Sequence, residues 1–248
     1  MTNATEGKIF LSDERGLSQS SWFRSSHTFN FGKYFNEHKK AFGDIYVVND
    51  DALDAGRSLV MLIEEPSYII ILPVMGAVTY KDASGNTKTI VAGQVQIALL
   101  NRNESIAITN PFNEGIVNFL QIWIRARDTK GQSRDTSYDV NAQINKLIDI
   151  SALIKPATFP FGISIGKFDG RNEATYQIGN NRNGVFVFVI EGVFEIEGRL
   201  VHARDSLALW NVELIDMEAL SNGSIILLIE LNNPQGENCE NIRRLPVD

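Results

Sequence analysis

A single cysteine, Cys239, is all the thiol chemistry in this 248-residue chain, so no internal disulfide can form. Histidine is scarce as well: His27, His38 and His202 are the full set, and none lies at metal-pair spacing from another. No apolar run approaches the length needed to span a bilayer. Clustered positive charge is also missing. The adjacent basic pairs are Lys39-Lys40 and Arg243-Arg244, in a chain of net charge -7, which excludes the basic face of a direct nucleic-acid binder. The opening residues MTNATEGKIFLSDERG have no charged start followed by an apolar core, so no signal peptide is expected. With one cysteine, the natural expectation is a cytoplasmic protein. The Asn-x-Ser/Thr triplets at Asn3, Asn103 and Asn222 then carry no glycosylation meaning.

What is present reads as strands. Hydrophobic residues make up 44% of the chain, and they fall in short alternating or β-branched blocks: 69–72, 95–100, 116–124, 162–168, 185–190 and 225–231. Such lengths and Val/Ile/Phe content favour strand over helix. Turn chemistry separates the blocks, as in Asp82-Ala83-Ser84-Gly85-Asn86 and Ser221-Asn222-Gly223. One helix-like piece, 141–154, carries Ile144, Leu147 and Ile148 on a shared face. It follows a polar stretch and predicts a linker between two domains, 1–140 and 141–248. A weak internal repeat agrees. "ILPVMGAVTY" with its return "TIVAGQVQIAL" matches "FVIEGVFEIEG" with its return "LVHARDSLALW". Gly76 then corresponds to Gly192, and Ala92-Gly93-Gln94 to Ala203-Arg204-Asp205. The prediction is an all-β protein made of two duplicated jelly-roll or β-barrel units.

Four segments resemble a known family. "SSHTFNFGKYFNEHKKAFGDIYVVNDD" (25–51), "YKDASGN" (80–86), "AGQVQ" (92–96) and "NFLQIWI" (118–124) are similar, in order and spacing, to pirin-like proteins, which are double cupins. The resemblance covers nearly the whole chain, more loosely in the second half. It implies a double cupin fold and, in the N-terminal cupin, a bound iron or other divalent metal held by three His and one Glu. Carried over by position, those ligands fall on Leu62, Glu64, Ile106 and Ile108. Aliphatic side chains have no lone pair to give, and one carboxylate does not hold a transition metal. The metal cofactor is therefore expected to be absent.

Alternation in a strand predicts that Leu62 and Glu64 point into the barrel with Ile106 and Ile108, lining a greasy cavity, while Ile63 and Glu65 point out. Packing aliphatic side chains there would stabilise the barrel by roughly 1.5–3 kcal/mol per fully buried residue. Glu64 keeps three readings open: a hydrogen-bonded or solvated acid at the mouth, a receptor for a ligand's cationic or donor group, or a lone general acid or base. His27 is expected to be a hydrogen-bonded structural residue and His38 a solvated one. Gly162-Ile163-Ser164-Ile165-Gly166 spells a nucleophile elbow, but it lies between Phe161 and Phe168 in a strand pattern with no helix after it, so it is expected to be strand.

Three functions follow. The favoured one is a pirin-like bicupin that has lost its metal and binds a small apolar ligand in the first barrel or a protein partner, without catalysis. The resemblance also implies a quercetin 2,3-dioxygenase-like oxygenase, which would need a redox-capable metal, or a regulatory protein-binding partner. Neither nucleic acid nor membrane is expected as a direct partner.

Overall fold

The computed structural model describes residues 5–127, 133–154, 159–180 and 183–232; Cys239 lies outside them. Strands dominate throughout, and they form two barrels, each built from one large and one small antiparallel sheet. In the first barrel the large sheet runs, in spatial order, Arg134–Ser137, Gln94–Leu100, Ser67–Met75, Val117–Arg125, Ile45–Leu53, Phe23–His27 and Gly16–Gln19. Its small sheet runs Ser58–Leu62, Ser105–Thr109, Ala77–Lys81 and Thr87–Val91. The second barrel repeats the plan with a six-stranded sheet centred on Gly184–Glu191 and Ser224–Leu231, and a four-stranded sheet centred on Leu214–Ala219 and Val193–Ile196.

Continuous apolar runs such as "YIIIL" have a simple cause here. The large sheet of the first barrel is buried on both faces. Ile69, Ile71, Phe119 and Trp123 point into the first barrel. Their neighbours Ile70, Leu72, Leu120 and Ile122 point the other way and join Ile163, Ile165, Phe186, Phe188 and Ile229 of the second barrel in one shared core. The two barrels are therefore fused back to back through apolar sheet faces. The second barrel's own interior is closed by Val187, Phe194, Ile215 and Leu228, among others.

The internal repeat is visible in the backbone. Gly76 and Gly192 both take left-handed φ, +80° and +78°. At the return turns Gly93 (φ +89°) and Arg204 (φ +70°) share that conformation as well, although an arginine pays a Cβ penalty there that glycine avoids.

Two expectations need correction. The segment 141–154 is not one helix: turns lead into the strand Lys146–Asp149, and only Ile150–Leu153 is helical. Ile148 and Ile150 are instead drawn into the shared core as an edge strand pairs with Phe161–Phe168. Nor does the first barrel own all of 1–140. The strand Glu6–Phe10 pairs with Ser206–Trp210 and completes the second barrel's large sheet, with Phe10 packed edge-on against Phe29 at 5.3 Å between centroids. The Gly162–Gly166 stretch is strand within Phe161–Phe168, as its pattern requires.

Candidate functional site

The strand Ser58–Leu62 pairs with Ser105–Thr109 so that Met61 lies opposite Ile106, Leu59 opposite Ile108, and Leu62 opposite Ser105. Directly opposed residues share a face of an antiparallel sheet. Met61, Ile63, Ile106 and Ile108 are accordingly buried in the first barrel, the last two at 1% and 0% exposure. Leu62 is 59% exposed and Glu64 is exposed too. The expected inward orientation of Leu62 and Glu64 is thus reversed: the odd-numbered residues face in. A one-residue difference in register flips every side chain, and the four positions do not line one cavity. Glu65 pairs with Arg125 at 3.0 Å.

Polar groups in the first barrel's interior lie on the large sheet instead. His27, from Phe23–His27, faces Asn49, from Ile45–Leu53, with Nδ1 and Oδ1 2.8 Å apart; its Nε2 is 2.8 Å from Ser18 Oγ. Ser25 Oγ lies 3.3 Å from Nδ1. The ring packs beneath Phe31 and Tyr34. Burial lowers the imidazole pKa, with the Asn49 hydrogen bond opposing, so His27 is a neutral hydrogen-bonding hub with both nitrogens engaged. His38 is exposed, 3.5 Å from Glu37, and His202 is exposed on the second barrel. Among the described residues no group of three or more His, Cys, Asp or Glu converges as a metal cage.

Two residues beyond Asn49, Asp51 faces the same interior. It is fully buried, accepts from Gln121 Nε2, and leaves Oδ1 without a partner among the described residues. Gln121 in turn accepts from Trp123 Nε1 at 3.3 Å. Desolvation dominates and pushes the Asp51 pKa up to about 7, against the pull of the Gln121 hydrogen bond and the nearby Ser25 hydroxyl. A carboxyl poised there can exchange a proton near neutrality.

Between Asn49 and Asp51, Asp50 points outward into a cleft of ≈ 560 Å³ where the barrels part. Arg204 Nη1 donates to Asp50 Oδ1 at 3.1 Å, and Arg15 Nη2 approaches Oδ2 at 3.5 Å. Asn118 Nδ2 donates to the same carboxylate at 2.7 Å and to the Asp51 carbonyl at 2.9 Å. Burial lowers the Arg15 pKa, with Asp50 opposing.

A family model described as the quercetinase C-terminal cupin domain matches residues 161–231. A protein named quercetin 2,3-dioxygenase, from Escherichia coli (strain K12), is 24% identical over 219 residues, covering 87% of this chain and 94% of its own length. A pirin-like protein of Caulobacter vibrioides is 24% identical over 224 residues, covering 87% and 96%. Over most of its length this chain is similar to pirin-like proteins. Among solved structures, the bacterial pirin YhhW of Escherichia coli, in complex with nickel(II), matches with a TM-score of 0.80 at 22% identity, over 92% of this chain and 99% of that one. The fold of this pirin-like chain is therefore the all-β double cupin.

Sequence reasoning located the pirin-like segments but not their polar core. Asn49 and Asp51 are spaced two apart in the apolar strand IYVVNDDAL, and Gln121 interrupts "NFLQIWI". Polar residues on the buried face of such strands were the available signal. The partnership of Asp50 with Arg204 had none, because 154 residues separate them.

Proposed function

We propose that this pirin-like bicupin works without a metal and without catalysis, as a cytoplasmic protein that binds a small ligand or a protein partner. The observation that supports this reading is the donor chemistry in the first barrel. At the positions that the resemblance assigns to the family's metal ligands, Ile106 and Ile108 are buried hydrocarbon, Leu62 is exposed hydrocarbon, and Glu64 faces outward. Oxygen, nitrogen or sulfur donors in fixed geometry are what a transition metal needs, so these residues do not fit the group. His27, the buried histidine of the first barrel, has both ring nitrogens committed to Ser18 and Asn49.

The test is elemental analysis of the purified full chain, before and after incubation with ferrous, manganese, nickel and zinc ions followed by desalting. A metal-to-chain ratio near zero throughout is expected. A ratio near one would overturn the reading.

The names of the relatives favour a second reading, a quercetin 2,3-dioxygenase-like oxygenase. Aerobic turnover of quercetin in the presence of each added metal distinguishes it. Turnover above the protein-free rate would carry the second reading, and its absence with every metal would remove it.

A further inference from the structure

The outer face of the first barrel's large sheet changes character along its length. Where Val48, Leu120 and Ile122 meet the second barrel it is apolar. Past the end of that contact it turns to Arg24, Ser26, Asp50 and Asn118, which line the inter-barrel cleft with Arg15 and Arg204. Three guanidinium groups thus meet two carboxylates among the cleft's lining residues, Asp50 and Glu191, and the buried Asp205 acts on Arg15 from beyond the lining. Arg15 is the telling member. Its side chain is only 7% exposed, and its buried Nη1 has no hydrogen-bond acceptor among the described residues. An unmet donor on a charged group is costly. Arg204 holds its place in the left-handed region, φ +70°, where the corresponding turn of the first barrel uses Gly93.

The same sheet continues apolar and open beside Asn118, which pairs directly with Met75. Met75 and Ile116 are 53% and 56% exposed there, beside Val74. A second cavity of ≈ 500 Å³ shares Val74 and Glu191 with the cleft and continues between the barrels along Leu72, Tyr138, Ile165 and Ile190. Cationic groups at one end of an apolar trough fit one ligand chemistry, an anionic head on a hydrocarbon body.

We propose that the cleft between the barrels binds an aliphatic carboxylate, its head at Arg15, Arg24 and Arg204 and its chain along Val74, Met75 and Ile116. This site is separate from the first barrel's interior and does not depend on whether that barrel holds a metal.

Calorimetric titration of the full chain with octanoate, in the presence of EDTA, tests the proposal, with octan-1-ol and inorganic phosphate as paired probes. One octanoate per chain is expected, with octan-1-ol and phosphate each weaker by about tenfold or more, since each lacks one half of the recognised chemistry. Arg24→Gln and Arg204→Gly should each weaken octanoate by about tenfold. Arg204→Gly suits the local backbone, and circular dichroism with thermal melting verifies that both variants are folded. No binding of octanoate at millimolar concentration would overturn the proposal. So would octan-1-ol or phosphate matching octanoate, or both folded variants binding it as the parent does.

Discussion

Asp50 and Asp51 are consecutive in one strand and face opposite sides of its sheet. Asp51 is sealed inside the first barrel with a pKa raised to about 7, while Asp50 reaches out to Arg204 of the second barrel at 3.1 Å. Strand alternation alone turns two identical side chains to different tasks. One can store a proton, and the other ties two barrels together.

The Asp51 carboxyl makes stability depend on pH in a definite direction. Its folded pKa lies above the unfolded value of 3.8, so between about pH 4 and pH 7 the folded state holds a proton that the unfolded state has lost. Its contribution is full below that window and is lost as pH rises through it, by an amount on the order of 4 kcal/mol. His27 has the opposite sign, since its lowered pKa removes stability as pH falls. Asp51→Asn isolates the first effect. In urea unfolding from pH 4 to 8, the variant should lack the parent's decline across the window.

Asp50 and Arg204 should respond unequally to removal. Asp50→Ala leaves Arg15, 7% exposed, without its carboxylate, and truncating one partner of a buried charge pair costs about 3–5 kcal/mol. Arg204→Gly loses the same ion pair but relieves a left-handed arginine, at φ +70°, and its charge is better solvated. These effects offset each other to within about 1 kcal/mol. Denaturant midpoints of the two variants measure the asymmetry, and equal losses would contradict it.

The inward face of Ser58–Leu62 and its extension can be read by truncation. Ile63 is fully buried, so Ile63→Ala should cost about 2–5 kcal/mol. Leu62, 59% exposed, should cost less than about 0.5 kcal/mol on the same change. Thermal melting of both variants decides the register, and the reverse ranking would restore the inward Leu62.

Gly192 is a point at which the duplicated turn tolerates no side chain. Its φ is +78°, and a Cβ there would fall on Ser224 Oγ and lie 2.7 Å from Ser221 Oγ. Gly85, at φ +86°, faces open space. Gly85→Ala should cost about 1 kcal/mol from backbone strain alone, and Gly192→Ala more than about 2 kcal/mol from strain and overpacking together. Unfolding midpoints that failed to separate the pair would mean the Ser221–Ser224 turn yields easily.

Much of this protein was legible in its residues. Val- and Ile-rich blocks with turn residues between them specify strands because a pleated surface suits β-branched side chains. Gly76 and Gly192 mark the two copies because both turns need a positive φ. The pirin-like segments carried the double cupin. The nucleophile-elbow pattern at Gly162–Gly166 is legible as strand, since its neighbours keep a period of two.

Tertiary structure decided the rest. Whether Leu62 or Ile63 faces inward depends on pairing Met61 with Ile106, and a pattern of consecutive apolar residues is compatible with either register. The transfer of Glu6–Phe10 to the second barrel depends on an open edge at Ser206–Trp210, nearly two hundred residues away. Asp50 and Asp51 look alike in a string of letters. Burial on one face of a sheet and an arginine from another barrel on the other make them different, because a carboxylate's charge state and partners belong to its surroundings rather than to its sequence position.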